Sequence, residues 1–445
     1  MKKSMFSKLF LTLSLLALPV LVFAGGFQIN EQGAKSLGMG GAFVAQADNP
    51  EAVYFNPAGI TQLEGAQISL GVSSIAPKAS FESDSTGVTT DAKENTFYIP
   101  NFYATLKATD KLSVGFATFA NFGLATEWPS DWEGRYITGG TKAEIVTLTL
   151  NPNIAYKLTD KLSIAVGLDI QKLEVTLANK LKLIKADING DNNDETILLD
   201  SDGDSELSAD DWAYGYNIAI HYSITKNWKA GISYRSKIKH EIKDGTADIS
   251  VPTGKVIVSI TPLQFGPTTP SMSLQKTGST NLTLPDILYL GTSYKLNKFT
   301  FEFDAQRTGW SSYDKLEVTF EDGTVQNKPK DWDDVWAFRF GTQYQFNDML
   351  ALRAGIIRDY TPIPDETVDP LVPSGDRWLY AIGFGLNFEN LTIDFAYNYM
   401  DDENRTFNNS VGKDAPYGVA VPVMTGEFKN VDAHIFGLNV TYRFK

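Results

Sequence analysis

Cysteine is missing from all 445 residues, and histidine is nearly so, with His221, His240 and His434 the whole supply. That excludes a disulfide scaffold, a thiol nucleophile and a Cys-built zinc site, and it leaves little for His-based metal chemistry. No nucleophile signature lies near any of the three histidines, so no enzyme and no cofactor are expected. An excess of positive charge is absent too: 39 Lys and Arg face 53 Asp and Glu, a formal charge of −14. A nucleic acid would be repelled by such a chain and is not expected as a partner. Beyond residue 24 no stretch of about 18 apolar residues occurs, so no transmembrane helix follows it.

What the chain has in quantity is aromatic residues and glycine: 27 Phe, 19 Tyr, 8 Trp and 36 Gly, which favour strands and turns. Its first segment reads as an address. Lys2, Lys3 and Lys8 precede an apolar run from Leu9 to Phe23 that ends in Val22-Phe23-Ala24. This is the pattern of a secretory signal peptide over 1–24, cleaved after Ala24. The run is short for a spanning helix and holds Pro19. An exported chain without a membrane helix is periplasmic, secreted, or an outer-membrane barrel.

Period-two patterning decides among these. Trp212, Tyr214, Tyr216, Ile218, Ile220, Tyr222 and Ile224 alternate with small or polar residues, and the pattern recurs around Trp336–Phe346, Leu391–Tyr399 and Phe436–Phe444. Each such strand shows one face to something apolar and the other to something wet or crowded. The aromatics gather at strand ends, where a membrane interface suits them. A soluble sandwich would alternate as well, but the connections differ. Six are tight and polar, at Thr109-Asp110-Lys111, Thr159-Asp160-Lys161, Thr225-Lys226-Asn227, Leu296-Asn297-Lys298, Asn347-Asp348 and Glu389-Asn390. Seven long segments alternate with them, and thirteen connections join fourteen strands. The expected fold is an all-β transmembrane barrel of about 14 antiparallel strands, closed because lipid offers no partner to an open sheet edge. The block 25–65 lacks alternation and is rich in small residues, such as Gly38, Gly40 and Gly41. It is too small for a core of its own and the right size to plug the lumen; the barrel then occupies 66–445.

At this point the residues resemble a known family. Gly26-Phe27, the Gly-rich Leu37–Ala42 and Asn56-Pro57-Ala58 are similar to the hatch of the FadL-type long-chain fatty-acid and hydrophobic-compound transporters. The segment Asn121-Phe122-Gly123-Leu124-Ala125-Thr126-Glu127-Trp128, with Trp132 and Gly134-Arg135-Tyr136, is similar to that family's third strand and outer loop. Leu284-Pro285-Asp286, Thr308-Gly309-Trp310-Ser311, Arg353-Ala354-Gly355 and Thr361-Pro362-Ile363-Pro364 continue the match. Two departures stand out: Phe444 is followed by Lys445, and Ala178–Asp211 is unusually acidic.

The resemblance implies passive uptake at the outer membrane by a monomer lying in lipid. An outer hydrophobic groove collects the substrate, an inner pocket near Phe27 holds it, and a shift of the hatch residues Gly38, Gly40, Gly41, Asn56, Pro57 and Ala58 releases it sideways through a wall gap at the third strand. Chemistry compatible with this is present. Phe122, Leu124, Trp128 and Trp132 offer an apolar trough, Arg135 a cation for a head group, and Arg353 a second cation on the lumen face by strand phase. Simpler roles compete: interfacial anchoring for the tryptophans, pairing of Arg135 with Glu127, Asp131 or lipid phosphate, lumen packing for Arg339 and Arg353, and a turn for Asn56-Pro57-Ala58. Gly115 and Gly123 mark where the third strand would bend. Asp187, Asn189, Asp191, Asp200, Asp202 and Asp204 give oxygen ligands at calcium-like spacing without the Gly and Glu of an EF-hand, so a solvated acidic loop competes with a Ca²⁺ site. An aromatic-hydrocarbon transporter and a structural or adhesive barrel are the alternative functions.

Overall fold

The alternation read from the sequence becomes the wall of a closed barrel in the computed structural model, which describes residues 25–186, 195–260, 263–408 and 424–444. The expected signal peptide, three of the calcium candidates (Asp187, Asn189 and Asp191) and Lys445 lie outside these residues. Fourteen strands form one antiparallel ring. They are β1 (Ala66–Ser83), β2 (Phe97–Lys107), β3 in two pieces (β3a, Leu112–Phe119; β3b, Gly123–Glu127), β4 (Lys142–Lys157), β5 (Leu162–Ala186) and β6 (Glu195–Ser223). There follow β7 (Trp228–Arg235, then Ile238–Val251), β8 (Met272–Leu284, then Ile287–Leu296), β9 (Phe299–Thr308), β10 (Val335–Gln345), β11 (Leu350–Asp359), β12 (Arg377–Asn387), β13 (Leu391–Asp402) and β14 (Gly426–Phe444). The ring closes between first and last strands, from Ala66↔Phe444 to Ser83↔Gly426.

Local chemistry sets the short end. Thr109, Thr159 and Thr225 each accept, at Oγ1, the backbone N–H groups two and three residues on, and Asn347 Oδ1 does the same. These side chains mimic a backbone turn, which is why Thr-Asp-Lys and Asn-Asp suffice to reverse a strand. Short turns mark the periplasmic end and long loops the outer one. Two extra hairpins, Gly254–Ile260 with Leu263–Thr269 and Lys315–Phe320 with Val325–Pro329, extend the outer end.

On β6 the apolar set from Trp212 to Tyr222 is 41–68% exposed, the surface of a protein whose solvent there is lipid. The intervening Asn217, Ala219 and His221 are buried: His221 meets Ala45 O and Gln62 of residues 25–65, which fill the lumen, and Asn217 is held by Asn151 and Asn153 of β4. That inner segment has two four-residue helices, Ala34–Leu37 and Ala52–Phe55, and a 3₁₀ turn, Pro57–Gln62, too little to stand alone. The wall holds it in two ways. Glycines on adjacent strands let backbone approach backbone: a Cβ on Gly341 would lie 2.4 Å from Met39 O, and one on Gly355 2.4 Å from Gly40 N. Gly40 itself has φ +65 and Gly41 φ +72, conformations that disfavour any side chain. On β9, Asp304 Oδ2 accepts from Phe43 N and Val44 N (2.8 and 3.0 Å), and Glu302 accepts from Ala45 N and Gln46 N (2.6 and 2.9 Å). Four buried donors are thereby satisfied by two carboxylates.

Candidate functional site

The site begins where the wall is interrupted. Strand β3a pairs with β2 only as far as Phe102↔Thr118, and with β4 as far as Phe119↔Thr149. Ala120–Phe122 then leave the ladder, and β3b resumes pairing with β4 alone, from Gly123↔Val146 to Glu127↔Lys142. The upper part of β2 therefore has no ladder to β3b among the described residues. Between them lies an opening of about 280 Å³, lined by Thr96 and Phe97 on one side and Ala125, Thr126, Lys142 and Glu144 on the other. The freed backbone groups are taken up from inside. Ile29 N donates to Asn121 O (3.0 Å), Gly123 N donates to Phe27 O (2.9 Å), and Gln28 bridges to Phe122. The start of the inner segment thus replaces a missing strand neighbour.

Those same hydrogen bonds fix Phe27. Its ring inserts among Phe122, Trp310, Tyr313 and Trp332, with centroids 6.2, 4.7, 5.8 and 5.7 Å away, mostly edge to face. Trp310 and Tyr313 come from the segment after β9, and Trp332 from the segment before β10. Gly26 must be glycine here: its φ is +74, and a Cβ would lie 2.5 Å from Trp310 and 2.6 Å from Trp332. The Nε1–H groups of Trp310 and Trp332 make no hydrogen bond among the described residues, an unusual condition for buried indoles and one that a ligand acceptor would relieve.

Beside the cage stands a compact charge cluster. Lys330 is paired with Asp369, and Lys328 Nζ lies 3.0 Å from the same carboxylate oxygen. Lys330 also lies 5.8 Å from the centroid of the Tyr313 ring. Two ammonium groups share one carboxylate, so the cluster keeps a net positive charge next to the aromatic cage. Burial pushes Lys328 down to about 8, with Asp369 opposing. For Lys330 burial acts the same way, but Asp369 and Tyr313 outweigh it and its value is raised. Burial would raise Asp369; the two lysines instead hold it far below the usual carboxylate range.

Above the cage, on the loop side, Val175, Leu177, Leu207, Ile242, Leu282 and Leu316 line an apolar groove of about 60 Å³. It shares Ile242, Ser279 and Thr280 with a wider polar basin of about 340 Å³, whose lining includes Tyr313 of the cage.

The residues singled out from sequence fall into three groups. Phe27, Phe122 and Gly123 meet at the cage and the break. Gly115 does not: it sits within the regular β3a ladder, opposite Thr105 and Asn153, and the space over it is taken by Val53 and Ile60. The bend is therefore at Ala120–Phe122, where pairing fails, rather than at the earlier glycine. Leu124, Trp128 and Trp132 are buried in the loop roof instead of anchoring at an interface or lining an outer trough. The two indoles stack at 4.4 Å and donate to Pro370 O and Gly140 O.

The two predicted cations are committed elsewhere. Arg135 pairs with Asp202 at 2.7 Å, donates to the backbone oxygens of Asp131 and Trp132 and holds Tyr136 OH, so its ion-pair partner is Asp202 rather than the carboxylate of Glu127 or Asp131 or a head group. Arg353 faces the lumen as its phase required, but its Nη1 bonds Asp394 (2.7 Å) and its Nε Gln343 (2.8 Å), beside Gly38. Gly38 and Gly41 pack against Gly383 and Arg339. Asn56 caps its own turn through Ala58 N, with Pro57 the first turn residue, and its amide ties Val44 O to Ile220 O of β6. At the calcium candidates that are described, Asp200 accepts from Thr253, Asp202 is held by Arg135 and Tyr136, and Asp204 pairs with Lys180. Among the described residues no three acidic or histidine side chains converge on a point.

Sequence reasoning missed Tyr313, Trp332, Lys328, Lys330 and Asp369 as site residues and quoted Trp310 only within a motif. The one signal available was aromatic density: Trp310, Tyr313 and Trp332 fall in a long connection between strands. Lys328-Pro329-Lys330 looks like any solvated loop.

Comparison with known proteins places this geometry. The profile of the family described as outer membrane protein transport protein (OMPP1/FadL/TodX) matches residues 15–444. A long-chain fatty acid transport protein of Escherichia coli O6:H1 is 28% identical over 469 residues, covering all of both chains. Outer membrane protein P1 of Haemophilus influenzae is 26% identical, with 97% of this chain and 99% of that one covered. Among solved structures, a Pseudomonas aeruginosa FadL homologue superposes with TM-score 0.78 at 19% identity, covering 94% of this chain and all of that one. The P. putida toluene transporter TodX superposes with TM-score 0.70 at 18% identity, covering 93% and 98%.

Proposed function

From the premise that this chain belongs to the OMPP1/FadL/TodX family of outer membrane transport proteins, we propose that it takes up long-chain carboxylates passively, using the Phe27 cage as a binding site and the β2–β3b opening as the exit. The observation that carries the proposal is the pairing of an all-aromatic cage with the net-positive Lys328–Lys330–Asp369 cluster beside it. An acyl tail gains about 0.8 kcal/mol per buried CH₂, so the tail supplies most of the affinity. The lysines orient the head group.

The route follows shared residues. The loop-side groove receives the tail, the adjoining basin leads to Tyr313, and Tyr313 is part of the cage. A ligand entering the cage displaces the Phe27 ring. Because Phe27 O and Ile29 N are bonded to Gly123 and Asn121, displacement loosens the inner segment at the break and joins the cage to the opening toward lipid. No energy source enters these steps.

A second reading, uptake of neutral aromatic hydrocarbons, is favoured by the composition of the cage, since four rings suit another ring as well as an acyl chain. Calorimetric titration of the purified barrel with a long-chain carboxylate and with the alcohol of equal length separates the two. The acid should bind at least tenfold more tightly, and Lys328→Gln should remove most of that preference. Equal affinities, with toluene competing fully, would move the function to neutral compounds.

A further inference from the structure

The outer wall carries a dent near the short-turn end that the transport route does not use. Trp228, Thr292, Tyr294, Phe301, Phe303 and Phe340 line it, with a volume of about 430 Å³. It exists because Thr292 and its cross-strand partner Ala230 are small, while Trp228, Tyr294, Phe303 and Phe340 around them are large aromatics. Trp228 donates from Nε1 to Thr292 Oγ1 at 2.9 Å, which fixes the indole at one wall of the dent. Phe301 is half-buried and the other five are exposed, in a face that lipid bathes.

The two turns beneath this dent differ from the other four. Thr225-Lys226-Asn227 and Leu296-Asn297-Lys298 lie side by side, joined by Lys295 N donating to Asn227 O at 2.8 Å. With Lys295 they carry three exposed lysines and no acidic residue. Every other short turn has one, at Asp110, Asp160, Asp348 or Glu389. Lys107 is balanced by Glu64 and Asp110, and Lys157 by Asp160; among the described residues Lys226, Lys295 and Lys298 have no such carboxylate. Lys226 is two residues from Trp228 and Lys298 three from Phe301, about 7–10 Å along a strand. One phospholipid covers that distance from phosphate to upper acyl chain.

We propose that this dent and its lysine turns form a binding site for one anionic phospholipid of the periplasmic leaflet, with an acyl chain against Trp228 and Thr292 and the phosphate at Lys226, Lys295 and Lys298. The site rests on the barrel and its orientation alone and is independent of what the lumen transports. A cation near an anionic lipid surface favours it about fivefold per lysine, so head-group selectivity is the signature, whereas ordinary annular lipid shows none.

The test uses the full barrel in nanodiscs. Quenching of the Trp228 component, isolated by difference from Trp228→Phe, is measured with phosphatidylglycerol and with phosphatidylcholine carrying brominated acyl chains. The anionic lipid should reach half-quenching at a fraction at least fivefold lower. Lys226→Gln, Lys295→Gln and Lys298→Gln together should abolish the preference, and Thr292→Leu, which fills the dent, should weaken quenching by the anionic lipid toward that by phosphatidylcholine. If the triple variant does not assemble, Lys226→Gln alone should still reduce the preference severalfold. Equal quenching by both lipids in the native protein, or a preference that survives the lysine changes, would overturn the proposal.

Discussion

Replacing Phe27 by Ala separates two roles for this ring, a contact that ligand gains or a stopper that ligand must move. The ring meets four aromatic partners at centroid distances of 4.7–6.2 Å. Such pairs are worth about 0.5–1.5 kcal/mol each beyond their area, so the cage holds the ring by roughly 2–6 kcal/mol. A ligand that must displace it forfeits that amount before its own contacts count. Taking the lower bound, Phe27→Ala should tighten binding of a long-chain carboxylate by about thirtyfold, at about 1.4 kcal/mol per tenfold. Phe27→Leu, which keeps most of the volume, should tighten it less. The dissociation constant is measured by titration in detergent, with protease resistance of residues 25–65 confirming that the inner segment stays seated. Unchanged or weaker binding by a seated Phe27→Ala variant would refute the stopper role and make Phe27 a ligand contact.

The other predictions concern charge, exit and anchoring. Lys328 carries its proton below about 8 in the folded protein, so affinity for a carboxylate should fall roughly tenfold between pH 7 and 9, the worth of a charge-assisted hydrogen bond, while toluene binding stays level. Because burial depresses this lysine, its charge costs stability below about pH 8, and the cost is relieved as pH rises toward the ordinary lysine value. Ala125→Trp, which fills the opening between β2 and β3b, should slow acyl-chain uptake by cells at least severalfold and leave equilibrium binding intact; undiminished uptake would place the exit elsewhere. Glu302→Ala with Asp304→Ala strips acceptors from four buried N–H groups, at about 1–3 kcal/mol each. Ion conductance across planar bilayers should appear, and a silent barrel would show that the wall glycines suffice to hold the segment.

The barrel was legible because it rests on rules of period and turn. The alternation Trp212–Tyr222 needs no tertiary information, since lipid on one side and a filled lumen on the other impose it, and Thr109, Thr159 and Thr225 close their turns with their own hydroxyls. The break in β3 was legible only to the strand. A glycine in a strand serves either a bend or a close approach, and Gly115 serves the second by making room for Val53 and Ile60.

The site was harder for a different reason. Trp128, Trp132 and Arg135 are next to one another in sequence, and proximity in sequence suggested one outer trough. Their partners, Pro370, Gly140 and Asp202, come from separate loops and convert trough into roof. The reverse holds for Lys328 and Asp369, which are ordinary loop residues until folding brings them to one carboxylate oxygen. Long-range loop packing has no period to read.

The most direct test of the central claim is tryptophan quenching of the detergent-purified barrel by a brominated long-chain fatty acid, read in the native chain and in the Trp310→Phe, Trp332→Phe double variant. The account predicts saturable quenching, displaced by unlabelled long-chain acid and largely lost in the double variant. Saturable quenching that persists without Trp310 and Trp332, or quenching that never saturates, would contradict a binding site at the Phe27 cage.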